Sequence, residues 1–285
     1  MKIAILSGKG GTGKTFLATN LAYVSQPSTY IDADVEEPNG NLFLRPTIDN
    51  RHQVFVKIPE VDQGKCGGCR RCTEFCRYHA LAYSGGKLII FPTLCHSCGA
   101  CTYLCPEQAL KEVNRSIGYY ERGTLEKIEF YSGVLKPGQL SGVPIIETLM
   151  NVADGKNELT WIDCPPGVAC QVISCVEVAD YCLLVAEDSL FGLDNLKMAH
   201  ELAKTLHKPV GVIINKCFDS KSVCDAYCQD ERLKVIERIP YDIKLANLGA
   251  KGYLAAKDNT IIYQMFFDIY YKIMREVDHE TTPRS

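Results

Sequence analysis

The chain alternates between short apolar runs and longer stretches whose apolar residues follow helical spacing. Residues 3–6 form an unbroken apolar run, and "FLATNLAYV" at 16–24 then has the spacing of a helix. Further apolar runs end in polar turns within 29–39, 159–167 and 209–219. Unbroken apolar strands are typical of a parallel sheet that is buried on both faces. The pattern predicts an α/β fold, a mostly parallel sheet flanked by helices, with ligands beyond the carboxyl ends of the strands.

The C-terminal part of the chain carries a further helical pattern. Its apolar residues stand at positions 261, 262, 265, 266, 269 and 273. The polar positions between them carry both signs of charge, without the basic bias of helices that lie on membranes. We expect this helix to pack on the sheet; a membrane-targeting helix is the alternative. No apolar run approaches the roughly 20 residues that cross a bilayer, so we expect no stable membrane anchor.

Composition adds one unusual feature, the cysteine content. The 285 residues are 46% hydrophobic and 23% charged, which is ordinary for a globular protein. The net charge of −3 gives no reason to expect a nucleic-acid partner. The 15 cysteines follow an N-terminus, "MKIAILSGKGG", that lacks the apolar region and cleavage site of a signal peptide. We therefore expect a cytoplasmic protein whose cysteines are thiols or metal ligands.

The loop after the first apolar run, "GKGGTGKT" at 8–15, fits the phosphate-binding pattern G-x4-G-K-[ST]. Its glycines allow backbone N–H groups to approach phosphate oxygens, and the following helix directs its N-terminus at the same anion. We expect Lys14 to contact the β and γ phosphates of ATP and the Thr15 hydroxyl to bind Mg²⁺. Lys9 is either a solvated lysine or a residue that reaches across a dimer interface to a second nucleotide. The predicted ATP-binding loop comprises Gly8, Lys9, Gly10, Gly11, Thr12, Gly13, Lys14 and Thr15.

Eight of the cysteines form two quartets with the spacing C-x2-C-x2-C-x3-C. The quartets are Cys66, Cys69, Cys72 and Cys76, and Cys95, Cys98, Cys101 and Cys105. Thiolates at this spacing wrap [4Fe–4S] clusters, and in two-cluster ferredoxins the fourth cysteine of each run serves the other cluster. We therefore assign one cluster to Cys66, Cys69, Cys72 and Cys105, and the other to Cys95, Cys98, Cys101 and Cys76. Zinc is the alternative metal, although structural zinc sites typically use two C-x2-C pairs with a longer spacer.

The region from about Gln63 to Val113 resembles a bacterial ferredoxin with two [4Fe–4S] clusters. Pro106 follows Cys105, as the ferredoxin pattern requires, whereas Arg77 follows Cys76 where that pattern has proline. The resemblance implies a small α+β domain of residues 63–113, inserted into a discontinuous P-loop ATPase domain of residues 1–62 and 114–285.

The loop form "KGGTGKT" resembles the deviant Walker A loop of the MinD/ParA class of P-loop ATPases, which includes Mrp-type scaffolds and the nitrogenase iron protein. In that class the extra lysine, here Lys9, contacts the nucleotide of the partner subunit. Asp34, in "TYIDADVEEPN", matches the residue that orients the attacking water, and Asp32 the residue near Mg²⁺. Asp163, in "LTWIDCPPG", matches the residue that holds Mg²⁺ through water.

Two further segments match this class at the base of the nucleotide. Asn215, in "INK", corresponds to the residue that reads the adenine edge, and Pro240, in "RIPYD", lies in the loop over the base. The resemblance implies that ATP binding forms a homodimer, or a heterodimer with a related ATPase. By analogy with the nitrogenase iron protein, Lys9, Lys14 and Asp34 would then hydrolyse ATP and gate electron transfer to a protein partner. An ATP- and redox-dependent positioning switch, as in MinD and ParA, and a cluster carrier, as in Mrp, are the alternatives.

Seven cysteines lie outside the quartets, most of them beside apolar strand residues, where we expect small buried hydrophobes. Cys224 and Cys228, with Cys217, could also form a metal site. Cys164 lies in the segment "LTWIDCPPG", which resembles the second switch of the MinD/ParA class; it is either a packing residue or a redox-sensitive thiol.

Overall fold

A computed structural model describes residues 1–218 and 223–281. The described part of the chain contains a nine-stranded sheet and a separate two-stranded sheet. The strands are β1 (Lys2–Leu6), β2 (Ser28–Asp32), β3 (Thr47–Val61), β4 (Leu81–Ser84), β5 (Lys87–Ile90), β6 (Leu110–Leu125), β7 (Ile128–Leu135), β8 (Thr160–Asp163), β9 (Tyr181–Glu187), β10 (Val210–Cys217) and β11 (Lys234–Pro240). The α-helices are α1 (Lys14–Val24), α2 (Gly40–Leu44), α3 (Arg71–Phe75), α4 (Ala100–Tyr103), α5 (Val143–Val152), α6 (Cys170–Glu177), α7 (Leu190–Thr205), α8 (Val223–Asp230), α9 (Ile243–Ala250), α10 (Ala255–Asp258) and α11 (Thr260–Thr281).

The large sheet is parallel over most of its width. Its strand order is β11-β10-β9-β1-β8-β2-β7-β6-β3, and the pairs from β11 to β7 are all parallel. The central strands are buried along nearly their whole length, as their unbroken apolar runs require. The predicted α/β fold with a mostly parallel sheet is confirmed.

Helices cover both faces of this sheet and form two hydrophobic cores. One core joins α5, α6, α7 and α8 to the sheet, and the other joins α1, α10 and α11 to the opposite face. The apolar stripe of α11 is buried at Phe266, Ile269, Ile273 and Val277, so the predicted packing of this helix on the sheet is confirmed. Each helix in the described residues is too short or too polar to traverse a lipid bilayer.

The last two strands of the sheet, β3 and β6, form a long antiparallel ribbon. Residues 47–61 pair with residues 110–124, whereas β7 pairs with β6 only from Gly118 onward. The distal half of the ribbon therefore extends past the end of β7. Residues 62–109, which contain both cysteine quartets and the β4-β5 hairpin, connect its two strands at that distal end. This connecting segment overlaps the predicted insertion of residues 63–113, whose last four residues instead belong to β6.

Candidate functional site

The phosphate-binding loop lies where the sequence places it, between the carboxyl end of β1 and the first turn of α1. Gly11 and Gly13 have φ angles of 80° and 90°, in the left-handed region that favours glycine. A Cβ at Gly13 would lie 2.5 Å from Nδ2 of Asn215, so the close approach of β10 to the loop also requires glycine here. Gly8 serves packing, because a Cβ there would lie 2.4 Å from the carbonyl oxygen of Asn195 on α7.

A cavity of about 660 Å³ opens at this loop, which is a volume typical of small-molecule sites. Of the residues predicted to contact ATP or its attacking water, those that line it are Lys9, Gly10, Gly11, Thr12, Gly13, Lys14, Thr15, Asp34, Asn215 and Pro240. Gly8 and the two carboxylates predicted near Mg²⁺, Asp32 and Asp163, lie outside this lining. The Thr12 hydroxyl is buried and lacks a hydrogen-bond partner among the described residues. A ligand with hydrogen-bonding oxygens would satisfy this group.

Lys14 and Asp163 form a buried ion pair at the floor of the site. The ammonium group of Lys14 contacts Oδ1 of Asp163, at the end of the neighbouring strand β8. Burial by itself lowers the pKa of Lys14, but the Asp163 carboxylate outweighs it and the net pKa is raised. Lys14 is therefore charged in the folded protein, and its side chain also lines the cavity at the loop.

The second oxygen of Asp163 has a partner that the sequence did not indicate. The hydroxyl of Tyr30, on β2, donates a hydrogen bond of 2.9 Å to Oδ2 of Asp163. Both side chains are fully buried. Burial, followed by the neighbouring Asp163 carboxylate, raises the pKa of Tyr30 well above its usual value of 10. The phenol therefore remains protonated and acts as a donor.

Asp32 and Asp34 follow β2 but have different environments. Asp32 is buried and accepts backbone N–H groups of Asp34 at 3.2 Å, Asn39 at 3.0 Å and Gly40 at 2.7 Å. It thereby holds the turn between β2 and α2. Burial, followed by the charge of Asp163, raises the pKa of Asp32 to about 7. Asp34 instead faces the cavity, where a residue that orients water would have to lie.

Lys9 is paired within its own chain. Its ammonium group lies 2.9 Å from Oε2 of Glu187, at the end of β9, and both side chains are partly exposed. Lys216 approaches the other oxygen of the same carboxylate at 3.4 Å and donates a 2.8 Å hydrogen bond to the carbonyl oxygen of Gly11. Lysines 9 and 216 hold the pKa of Glu187 below its usual value, although burial opposes them. The sequence did not indicate Glu187 or Lys216, whose roles depend on the neighbouring strands β9 and β10.

Asn215 anchors the side of the cavity expected to hold the base. Its Nδ2 donates a 2.7 Å hydrogen bond to the carbonyl oxygen of Thr12, so β10 and the phosphate loop are joined directly. Pro240 and Tyr241 line the same cavity, and the ring of Tyr241 stacks on Phe218 with centroids 5.0 Å apart. The Phe218 side chain is 73% exposed. An exposed aromatic pair of this kind offers a planar surface beside the cavity.

The eight quartet cysteines border two further cavities at the end of the ribbon. All 15 cysteines of the chain are free of disulfides. A cavity of about 540 Å³ is bordered by the thiols of one predicted set, Cys76, Cys95, Cys98 and Cys101. A much smaller cavity, of about 20 Å³, is bordered by the other set, Cys66, Cys69, Cys72 and Cys105. Cys72 borders both. Cys76 thus lines the same cavity as Cys95, Cys98 and Cys101, and Cys105 lines the same cavity as Cys66, Cys69 and Cys72.

The backbone of this segment repeats itself at the same interval as the cysteines. Left-handed residues recur 29 positions apart, in the pairs Gly68 and Ser97, Arg70 and Gly99, and His79 and Gln108. The short helices α3 and α4 also start 29 residues apart. Backbone N–H groups of Ser97 and Ala109 approach the sulfurs of Cys95 and Cys105, at 3.4 and 3.3 Å. The duplicated sequence thus gives duplicated backbone turns, and in the second copy two amides point toward sulfur.

The chemistry of these donors fits iron–sulfur clusters, which are held by four thiolates each. Nowhere in residues 1–218 and 223–281 do three His, Cys, Asp or Glu side chains converge closely enough to hold a single metal ion. That finding includes Cys217, on β10, and Cys224 and Cys228, on α8, all of which are buried. The quartet thiols are instead spread around the two cavities, and the smaller cavity would have to widen to admit a cubane.

The parallel sheet, the glycine loop after its central strand and the buried lysine–aspartate pair define a P-loop nucleotide-binding protein. The family description "CobQ/CobB/MinD/ParA nucleotide binding domain" matches residues 3–254. The chain belongs to this family. Two uncharacterized proteins of Methanocaldococcus jannaschii are similar over nearly their whole length. MJ0578 is 30% identical, with 96% of each chain covered, and MJ0579 is 27% identical, with 92% of this chain and 93% of the relative covered.

Solved structures support the same fold. The cell division ATPase MinD of Pyrococcus furiosus is similar with a TM-score of 0.59 and 16% identity, covering 96% of this chain and 98% of its own. The septum site-determining protein MinD of Pyrococcus horikoshii OT3, complexed with Mg-ADP, gives a TM-score of 0.58 and 16% identity, with 95% of each chain covered. At this level of identity the likeness concerns the fold.

Proposed function

We propose that the protein binds and hydrolyses Mg-ATP and carries two [4Fe–4S] clusters, through which ATP-dependent dimerisation is coupled to electron transfer to a partner protein. The observation that carries the proposal is the ribbon. Strand β3 begins three residues after α2, which follows the turn held by Asp32, and it leads directly into the cysteine segment. A change in this turn on nucleotide binding would therefore act on the base of the ribbon that carries the cysteine segment.

The ATP half of the proposal assigns a role to each side chain at the cavity. Lys14 and Lys9 stabilise phosphate charge, with Lys9 acting on the nucleotide of the partner subunit in a homodimer or a heterodimer with a related ATPase. Asp34 orients the attacking water from its position in the cavity wall. Thr15, Asp32 and Asp163 would hold Mg²⁺, which would supply positive charge to neutralise the phosphates. A loop of the deviant Walker A type accounts for the second lysine.

The location of these side chains supports their assignment. Lys14 is charged and buried beside the loop, and Asp34 lines the cavity. Asp32 and Asp163 end neighbouring strands and are paired in the β2-β8 register. Carboxylate oxygens are the ligands that Mg²⁺ prefers, and the ion is usually bound by one or two carboxylates plus substrate phosphates. Binding of ATP would draw Lys14 toward phosphate and so release Oδ1 of Asp163.

The iron–sulfur half assigns the two crossed thiol sets to two clusters, which store and pass single electrons when bound. Amides directed at sulfur stabilise the negative charge of such a cluster and help to set its potential. Burial raises the pKa of the Cys72 and Cys101 thiols, so metal binding would have to supply the energy that deprotonates them.

Two other functions use the same residues. A positioning switch is favoured by the similarity to MinD structures, and a cluster carrier by Cys69 and Cys98, which are exposed. Three measurements on one sample of protein purified without oxygen distinguish electron transfer from these two functions. Electron transfer predicts that ATP changes the rate at which reduced protein passes electrons to an acceptor. Transfer of iron to an apo-protein would favour the carrier, and ATP-dependent binding of a partner without electron flow would favour the switch.

A further inference from the structure

The hydroxyl of Tyr30 is buried beside Asp163, the partner of Lys14 at the floor of the nucleotide site. Strands β2 and β8 are neighbours, and their parallel register sets Tyr30 opposite Trp161 and Asp32 opposite Asp163. The two oxygens of Asp163 have different partners, Lys14 on Oδ1 and Tyr30 on Oδ2. Lys14 is a long, flexible side chain at the end of the phosphate loop, whereas Tyr30 is an aromatic ring packed in the core.

The ring of Tyr30 has little freedom to move. It is fully buried and stacks on Phe130, with ring centroids 5.8 Å apart and planes 14° apart. Phenylalanine would fill the same space without a polar atom, and a buried hydroxyl costs free energy unless it is paired. The hydroxyl group therefore contributes to the site through its hydrogen bond to Asp163, rather than to the packing of the core.

The same hydroxyl touches the turn that follows Asp34. A Cβ at Gly40 would lie 2.4 Å from the Tyr30 hydroxyl oxygen, so only glycine allows the start of α2 to lie here. The Gly40 N–H donates to Asp32, at 2.7 Å. Asp163, Tyr30, Gly40 and Asp32 thus form one continuous buried contact from the end of β8 to the start of α2, and α2 leads into the ribbon.

We propose that Tyr30 is a positioning residue for Asp163: it fixes Oδ2, so that Oδ1 alone exchanges between Lys14 and the magnesium ion that accompanies ATP. The proposal rests on the proposed role of Asp163 in Mg²⁺ binding. With Oδ2 fixed, the carboxylate needs no reorientation when Lys14 turns to phosphate. Contact with Gly40 places the same hydroxyl against the turn that supports the ribbon.

The chain offers a matched control in Tyr131. This tyrosine lies on the adjacent strand β7, is 1% exposed and belongs to the core on the opposite face of the sheet. Among the described residues, its hydroxyl makes no hydrogen bond. Tyr30→Phe and Tyr131→Phe therefore each remove one buried hydroxyl at constant packing, but only the first removes a hydrogen bond to Asp163.

The first test measures ADP binding at increasing Mg²⁺. Tyr30→Phe is expected to raise the Mg²⁺ concentration for half-maximal tightening about tenfold, because a hydrogen bond to a charged group is lost, and to leave the affinity in EDTA within about twofold. Tyr131→Phe is expected to change neither. Equal Mg²⁺ dependence in both variants would overturn the positioning role. Absence of any Mg²⁺ effect in the unaltered protein would instead refute the proposed magnesium site.

The second test requires no metal, nucleotide or activity. Thermal unfolding of the metal-free protein is measured for Tyr30→Phe, Asp163→Asn and the double variant, in a double-mutant cycle. The two single shifts in Tm are expected to be non-additive, whereas Tyr131→Phe combined with Asp163→Asn should give additive shifts. Additivity for Tyr30 and Asp163 would contradict the proposal. If Tyr30→Phe does not fold, the Mg²⁺ titration of Tyr30→Met, a smaller and flexible side chain without a donor, decides in its place, with unchanged Mg²⁺ dependence as the contradicting result.

Discussion

The sheet of this protein and its cysteine segment are stabilised in different ways. In the sheet, helices on both faces bury two extensive cores. Residues 62–109 bury few large apolar side chains, and the small cluster around Leu81, Leu88 and Leu110 is completed by cysteines. A segment of this size rarely stabilises itself by burial alone, and metal ligation commonly supplies the remainder. We therefore expect the sheet to fold without metal and the segment to depend on it.

The largest effect is expected from Lys14→Ala, which should act on the sheet domain alone. Removing the lysine deletes the charge directed at phosphate and leaves Asp163 buried without its cation, so ATP hydrolysis should fall at least about 100-fold. Hydrolysis and iron content are measured on the same oxygen-free preparation. Iron content should match that of the unaltered protein, and a parallel loss of iron would contradict the independence of the two regions.

A cysteine substitution should produce the opposite pattern. Cys101→Ser is expected to remove one cluster, so that iron falls from about eight to about four atoms per chain, while nucleotide affinity is unchanged. Metal analysis and nucleotide titration provide the two readouts. Cys170→Ser is the control, because Cys170 is exposed and lies outside the segment. Equal iron in both variants would mean that Cys101 is not a ligand.

Glu187→Gln tests whether the pairing of Lys9 within its own chain opposes dimerisation. The ion pair is partly exposed and worth at most about 1 kcal/mol in each of the two subunits, so ATP should form the homodimer of the variant at up to about 30-fold lower protein concentration. Sedimentation with ATP and with ADP measures the shift. In a Lys9→Ala background the same substitution should have no effect. A shift that persists in that background would assign the effect to Lys216 instead.

A further effect concerns the dependence of stability on pH. A carboxyl group whose pKa rises to about 7 on folding holds a proton that the unfolded chain releases near pH 4, so its contribution to stability is lost between about pH 4 and 7. Asp32→Asn removes this loss. Without metal or nucleotide, the free energy of unfolding of the variant relative to the unaltered protein should rise from pH 5 to 7, by at most about 1.4 kcal/mol per pH unit, and then level off. The difference in Tm between the two proteins measures this rise. A constant difference would show that Asp32 is ionised throughout.

The sequence predicted the parts of the protein that local patterns determine. A short stretch of sequence is enough to recognise each of them: the glycine loop, the unbroken apolar strands and the apolar stripe of α11. The ribbon was not predicted, because the residues of β3 are mostly exposed and polar, "TIDNRHQVFVKIPEV", and its pairing partner lies beyond the cysteine segment. The roles of Tyr30, Glu187 and Lys216 were missed for a similar reason. Their partners are set by which strands become neighbours in the sheet.

The central claim is that ATP in the sheet domain is sensed by two iron–sulfur clusters at the end of the ribbon. Electron paramagnetic resonance of the dithionite-reduced protein, with and without Mg-ATP, tests it most directly. We expect signals of reduced [4Fe–4S] clusters that ATP perturbs in the unaltered protein and leaves unchanged in Lys14→Ala. Spectra without iron–sulfur signals, or spectra that ATP does not change, would contradict the account.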